Sequence, residues 1–225
     1  MILHLYSPLS CPACGMENVD GSFCQNCAPR PLDPWGRCHR CLARLQAGRC
    51  HFCEERNVLF DRHISTFGLN TECKRVLGEW KFENQRRAFL WFLPFLQSRL
   101  HRLQMEQDII HKPGYLIYIG SGNSAESIRN YQPVKDVGLA LQSANLPLRR
   151  MLEKKGNRKQ SGYGRRDRFF QVKDSIQLTV EYRPAFYYVL LEDVFTTGAT
   201  ALEASRILKR KCEAKVFVLS LFMAD

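Results

Sequence analysis

A chain of 225 residues, 45% of them apolar, has material for one full domain and a small appendage, and its formal charge of +11 suits a polyanionic partner. The longest apolar run, AFLWFLPFL at 88–96, falls well short of the ~20 apolar residues a spanning helix needs. The opening MILHLYSPLSCP has no cationic stretch ahead of its apolar part, so membrane insertion and a secretory leader are not expected, and the expected location is the cytoplasm.

Eight of the ten cysteines lie within the first 53 residues, as four C-x-x-C pairs: Cys11/Cys14, Cys24/Cys27, Cys38/Cys41 and Cys50/Cys53. Clustered thiols in a cytoplasmic chain argue for metal rather than disulfides. Two thiolates three residues apart on a tight turn point at one ion, and two such turns close a tetrahedral structural zinc site. Two structural zinc ions follow. Sequential pairing gives two tandem zinc ribbons, and an interleaved cross-brace is the alternative. A segment this poor in aliphatic residues folds on the metal's binding energy. Cys73 and Cys212 stand alone and read as small buried apolar residues. Residues 1–56 hold six Arg against five acids, and each four-thiolate zinc site would add a charge of about −2. The basic surface therefore belongs to the second half of the chain.

Asn70 or Thr71 caps a helix running toward Trp80. A second helical stretch, 84–107, carries apolar residues at helical spacing, and Pro94 should kink or divide it. These helices read as a linker over 57–112. From Tyr115 the pattern becomes strand, loop, helix, strand: YLIYI (115–119), an amphipathic segment (134–145), IQLTVE (176–181), FYYVLL (186–191), a helix over 199–211, and VFVLSLF (216–222). That alternation predicts an α/β domain, 113–225, with a parallel sheet and helices on both faces.

Ligands of such sheets bind at the carboxyl ends of the strands. Two glycine- and hydroxyl-rich loops meet that condition, at 120–124 and 195–200. The second opens a helix, whose N-terminus favours an anion, and Thr196, Thr197 and Thr200 add hydroxyl donors around Gly198 and Ala199. No Gly-Lys-Ser/Thr follows, and G-x-G-x-x-G is missing, so neither the nucleoside-triphosphate loop nor the dinucleotide fingerprint applies. Glu192 and Asp193, at the strand end, accept hydrogen bonds when ionised. They are suited to the vicinal hydroxyls of a sugar whose phosphate the next loop holds. Between Arg149 and Arg168, nine Lys/Arg face two acids, a net of +7, with Tyr163, Phe169 and Phe170 nearby. Such a segment can follow a phosphate backbone and stack bases.

The string VLLEDVFTTGAT (189–200) resembles the phosphoribosyl pyrophosphate motif of type I phosphoribosyltransferases. With the N-terminal C-x-x-C pairs, Phe67-Gly68, Lys81-Phe82 and KQSGYGRRDR (159–168), the whole chain resembles the ComF family, near its ComFC and GntX members. The resemblance implies a type I phosphoribosyltransferase-like sheet behind a double zinc ribbon. It gives the ribose hydroxyls to Glu192 and Asp193, with Glu192 standing where Asp is usual. The 5′-phosphate goes to Thr196, Thr197, Gly198, Ala199 and Thr200, and the pyrophosphate to the loop of Gly120, Ser121 and Gly122. Arg158, Lys159, Gln160, Tyr163, Arg165, Arg166 and Arg168 fall in a hood that covers the pyrophosphate or meets nucleic acid. Mg²⁺ would accompany phosphoribosyl pyrophosphate, bridging its pyrophosphate and ribose oxygens.

Three functions follow. The family's association with natural transformation implies a cytoplasmic competence protein that handles incoming single-stranded DNA during DNA uptake. An active phosphoribosyltransferase is the second, with Asp193, and Glu192 beside it, as candidate catalytic groups. The third is a non-catalytic scaffold whose zinc ribbons hold competence or DNA-processing proteins.

Overall fold

A computed structural model of the chain describes residues 10–11, 13–17, 23–82, 88–120, 132–155, 172 and 174–224. Its centre is a six-stranded sheet in the order β1-β6-β5-β2-β3-β4. The strands are β1 (Arg62–Gly68), β2 (Gly114–Gly120), β3 (Leu148–Lys154), β4 (Ile176–Leu178), β5 (Tyr187–Phe195) and β6 (Lys215–Met223). All neighbours run parallel except β3 and β4, which are antiparallel.

β5 shows why the sheet is central. Tyr187, Tyr188, Val189, Leu190 and Leu191 are all buried, as a strand covered on both faces requires. One face packs under α2 (Thr71–Phe82), α3 (Leu93–Glu106) and α4 (Pro133–Leu141), through Val76, Trp80, Leu96, Leu100, Leu103 and Val137. The other packs under α5 (Ala199–Lys209), where Ala201 and Ala204 let the helix approach Leu190, Val216 and Val218 closely. Helices thus cover both faces, as expected. Asn70 Oδ1 accepts the Cys73 N–H at 2.7 Å and caps α2. Pro94 divides the second helical stretch: a 3₁₀ turn (Ala88–Trp91) ends before it, and α3 starts with the proline in its first turn.

Two strands depart from the sequence expectation. β1 lies inside 57–112, the stretch expected to be a helical linker, yet it pairs with β6 from Arg62↔Phe217 to Gly68↔Met223. Its Arg, His, Ser and Thr residues hide the strand signal, and burial by neighbours supplies what the pattern lacks. β3, LRRMLEK, is the start of the basic segment; Met151 and Leu152 are fully buried while Arg149 points outward. The charge of 149–155 is therefore carried partly by a strand rather than wholly by a loop.

The two cysteine units pack on opposite faces: Cys11 and Cys27 join the α2/α3 side, and Cys41 and Cys50 join the α5 side. Cys73 is buried as expected. Cys212 is not: it is half-buried, and its sulfur meets the Tyr182 and Tyr188 hydroxyls at 3.4 and 3.5 Å. Among the described residues no helix is long and apolar enough to cross a membrane.

Candidate functional site

The thiols fall into two groups, Cys11/Cys14/Cys24/Cys27 and Cys38/Cys41/Cys50/Cys53, with the sulfurs of each group within 4.8 Å of one another. The pairing is sequential, which resolves the two arrangements open from spacing. Measured separations are 3.8 Å for Cys14–Cys24, 3.8 Å for Cys38–Cys53 and 3.4 Å for Cys41–Cys50. A tetrahedron with ~2.3 Å zinc–sulfur bonds has edges of ~3.8 Å, so the thiols fit zinc. The first knuckle of each unit has the same build. The residue four positions after the first cysteine, Gly15 or Leu42, is left-handed (φ 73° and 62°), and its N–H returns to that cysteine's carbonyl at 2.9 Å. Backbone N–H groups also reach sulfur at 3.4 Å, from Cys24 to Cys11 and from Arg40 to Cys38. Burial and neighbouring thiols push Cys27 and Cys53 up to about 12. A metal must displace those protons, so its affinity falls as pH falls.

The second unit is joined to the sheet. His63, on β1, is fully buried; its Nδ1–H donates to the Cys41 carbonyl at 3.1 Å, and Nε2 accepts from Ser220 Oγ at 2.9 Å. Its ring stacks on Phe195 with centroids 3.9 Å apart. Burial lowers its pKa to about 4, which keeps it neutral.

The candidate ligand site lies where β5 and β2 part. Their ladder ends at Ile117↔Leu190, but β2 continues to Gly120 beside β3, and β5 continues to Phe195 beside β6. From β2 the chain crosses outward to β3, and from β5 outward the other way to β6. The gap is thus a topological switch point at the carboxyl ends of the strands, the place where such sheets bind ligands. Gly120, which opens the first loop singled out from the sequence, and the loop at 195–200 flank it. Ser121 and Gly122 of the first lie outside the described residues, as do Arg158, Lys159, Gln160, Tyr163, Arg165, Arg166 and Arg168.

Gly120 is buried, and a Cβ there would lie 2.3 Å from Arg150 Nε. Glycine lets a guanidinium lie across the end of β2. Arg150, held also to Glu153 at 3.3 Å, therefore brings a cation over the end of β2. Sequence spacing gives no sign of this placement, because only the β2–β3 register reveals it. Lys154, at the end of β3, also lies close enough to act on Glu192.

Thr196 is exposed, while Thr197, Gly198 and Ala199 are buried. Gly198 has φ 66°, and a Cβ there would meet Phe195 and Phe52 ring carbons at 2.7 Å, so both conformation and space require glycine. Thr197 Oγ1 accepts the Ala199 N–H at 3.4 Å. The N–H groups of Thr196, Thr197, Gly198, Thr200 and Ala201 have no acceptor among the described residues. A turn of free donors at the start of α5 is electropositive and suited to an anion.

The two acids, expected as a matched pair of ionised acceptors, differ. Asp193 is paired with Lys81 Nζ, and its Oδ1 accepts the Val194 N–H at 2.6 Å. Glu192 Oε1 is buried with no partner among the described residues, as is Trp80 Nε1. Both residues line a cavity of about 10 Å³, the volume of one water. Strict alternation would send Glu192 and Asp193 to opposite faces, yet both line this cavity. Beyond it, Val194 packs with the α2/α3 cluster and Phe195 with the α5 cluster, so the strand changes phase at the acids. Burial first, then the Asp193 charge, pushes Glu192 up to about 8, with Lys154 partly offsetting them. Burial thus favours the protonated carboxylic acid at Glu192, whereas Asp193 is paired with Lys81, a separation of roles that sequence could not supply. A larger groove, about 110 Å³, lies along β1 and α3, where Arg62 and Arg102 share Glu106 at 2.6 Å.

No protein-family model and no curated protein sequence matches the chain. Among solved structures it is similar to a hypoxanthine phosphoribosyltransferase from Staphylococcus aureus in two crystal forms. The tetragonal form has 12% identity, a TM-score of 0.34 and coverage of 59% of this chain. The orthorhombic form has 12% identity and a TM-score of 0.33. The match spans 63% of the length of that enzyme.

Proposed function

We propose that this is a ComF-type protein whose switch-point crevice binds the phosphoribosyl group of phosphoribosyl pyrophosphate or a nucleotide, and that it handles transforming single-stranded DNA in the cytoplasm. The observation that carries the binding role is the turn of unaccepted N–H groups at the start of α5, beside Asp193 and at the strand ends. Thr196 to Thr200 would hold the 5′-phosphate. Asp193 would accept from the ribose hydroxyls, displacing Lys81. Arg150 and Lys154 supply positive charge on the side where a pyrophosphate would leave the ring, with Mg²⁺ brought by the ligand. Glu192, neutral, would orient its neighbour rather than bind ribose as an anion.

Calorimetric titration with phosphoribosyl pyrophosphate and Mg²⁺, on the wild type and Asp193→Ala, tests this. The expected result is binding that weakens at least about tenfold in the variant, the worth of a charge-assisted hydrogen bond. No heat from the wild type, or equal affinity in both, would end the reading. Release of pyrophosphate across a panel of nucleobases decides whether the site also turns over.

The competence role rests on the family resemblance and the basic segment. Single-strand binding should show a steep salt dependence that flattens when Arg158, Lys159, Arg165 and Arg166 are changed to Ala. The organisation proposed is a zinc-ribbon module over 1–56 and a phosphoribosyltransferase-like domain over 113–225, with β1 of the intervening 57–112 completing the sheet. Met16 and Trp35, 57% and 85% exposed, give the cysteine units apolar surface for a protein partner in DNA processing.

A further inference from the structure

The loop between β5 and α5 is held from outside the sheet. Helix α1 (His51–Glu55) belongs to the second cysteine unit: Cys50 immediately precedes it, with its carbonyl accepting the Glu54 N–H at 3.1 Å, and Cys53 lies within it. Arg56, at its end, donates from Nη1 to the Thr197 carbonyl at 2.9 Å, across 141 residues of sequence. Phe52, on the same helix, covers Gly198 and packs on Phe195 with ring centroids 6.2 Å apart. The Arg56 guanidinium lies 4.7 Å over the Phe52 ring, so the two side chains brace each other. His63 fixes the other flank, bonded to Cys41 and stacked on Phe195.

We propose that α1 is a clamp on the loop, with Arg56 and Phe52 as positioning residues, so that phosphate binding depends on the integrity of the second cysteine unit. Arg56 takes the Thr197 carbonyl out of the crevice side, leaving the neighbouring N–H groups to face a ligand together. Phe52 closes the space that Gly198 leaves, which keeps the left-handed turn from relaxing. A helix of five residues has little stability alone. Its position is set by Cys50 and Cys53, and loss of their shared ion would release it. The second unit would thereby couple metal loading to ligand affinity. The first unit packs on the opposite face and makes no such contact among the described residues.

The coupling to affinity rests on the phosphate reading above, whereas the clamp itself can be read without a ligand. Amide hydrogen exchange on the full zinc-loaded chain reports Leu202, whose N–H is bonded to the Gly198 carbonyl at 2.9 Å, and Ala199. Arg56→Ala should speed both about tenfold or more, while amides of β5 at 187–191 stay unchanged as the internal reference. Arg56→Lys should restore part of the protection, and Cys50→Ser should match or exceed Arg56→Ala. Should Cys50→Ser fail to fold, Arg56→Ala and Phe52→Leu carry the test. Unchanged exchange at Leu202 in Arg56→Ala would overturn the clamp, and so would equal acceleration in β5. Titration with ribose 5-phosphate is the second arm: affinity should fall in step with exchange. Faster exchange with unchanged affinity would overturn the coupling. No binding by the wild type would remove the phosphate reading, and with it the coupling, while the exchange result still decides the clamp.

Discussion

Glu192→Gln should change how stability depends on pH. Burial holds the Glu192 carboxyl at about 8 instead of its usual 4.5. The folded state therefore keeps a proton that the unfolded chain has lost, and stability falls as pH rises from 4.5 toward 8. Each pKa unit is worth about 1.4 kcal/mol, so the window from pH 6.5 to 8 contributes up to about 2 kcal/mol. His63 has its pKa lowered to about 4, so its stabilisation grows between about pH 4 and 6.5 and is complete above. The window above 6.5 thus isolates Glu192 from it. Gln keeps the shape and cannot ionise, so subtracting the variant's curve cancels the cysteine clusters as well. Denaturation of both proteins at pH 6.5, 7.2 and 8.0 should show Glu192→Gln gaining about 2 kcal/mol on the wild type across the series, or roughly 4–8 °C in Tm. Parallel curves, or a gain in the opposite direction, would mean that Glu192 is already ionised and solvated in the folded state.

Gly198→Ala should cost about 2 kcal/mol or more, from the left-handed backbone and the contact with Phe52 and Phe195, and should abolish phosphate binding; denaturation and titration measure the two losses. Metal analysis should give two zinc ions per chain, and Cys14→Ser should lower the count while leaving the second unit loaded. Lowering the pH should release zinc as the thiols regain protons, measured by a colorimetric chelator. Lys81→Ala should tighten ribose 5-phosphate about fivefold if displacing the Lys81–Asp193 pair costs about 1 kcal/mol; unchanged or weaker binding would show that Lys81 contributes to the ligand site instead.

Elements with strong local signals are legible in the residues themselves. Continuous apolar runs mark β2, β5 and β6, helical spacing marks α2, α3 and α5, and C-x-x-C spacing marks two metal units, because burial and ligation act on neighbouring residues. The loop at 195–200 is legible for the same reason: its glycine and threonines lie together in the chain. β1 and β3 are not, since His63, Ser65 and Arg150 owe their strand environment to partners far along the sequence.

The linear chain by itself determined the metal thiols, the main strands and the donor loop, all of them features whose parts sit within a few residues of one another. Only the tertiary structure decided the sequential grouping of the cysteines, the crevice where β2 and β5 diverge, and the unequal fates of Glu192 and Asp193. It also placed Lys81, Arg150 and Arg56 around the loop. These depend on distances through space, where desolvation and charge act between residues that no local spacing relates.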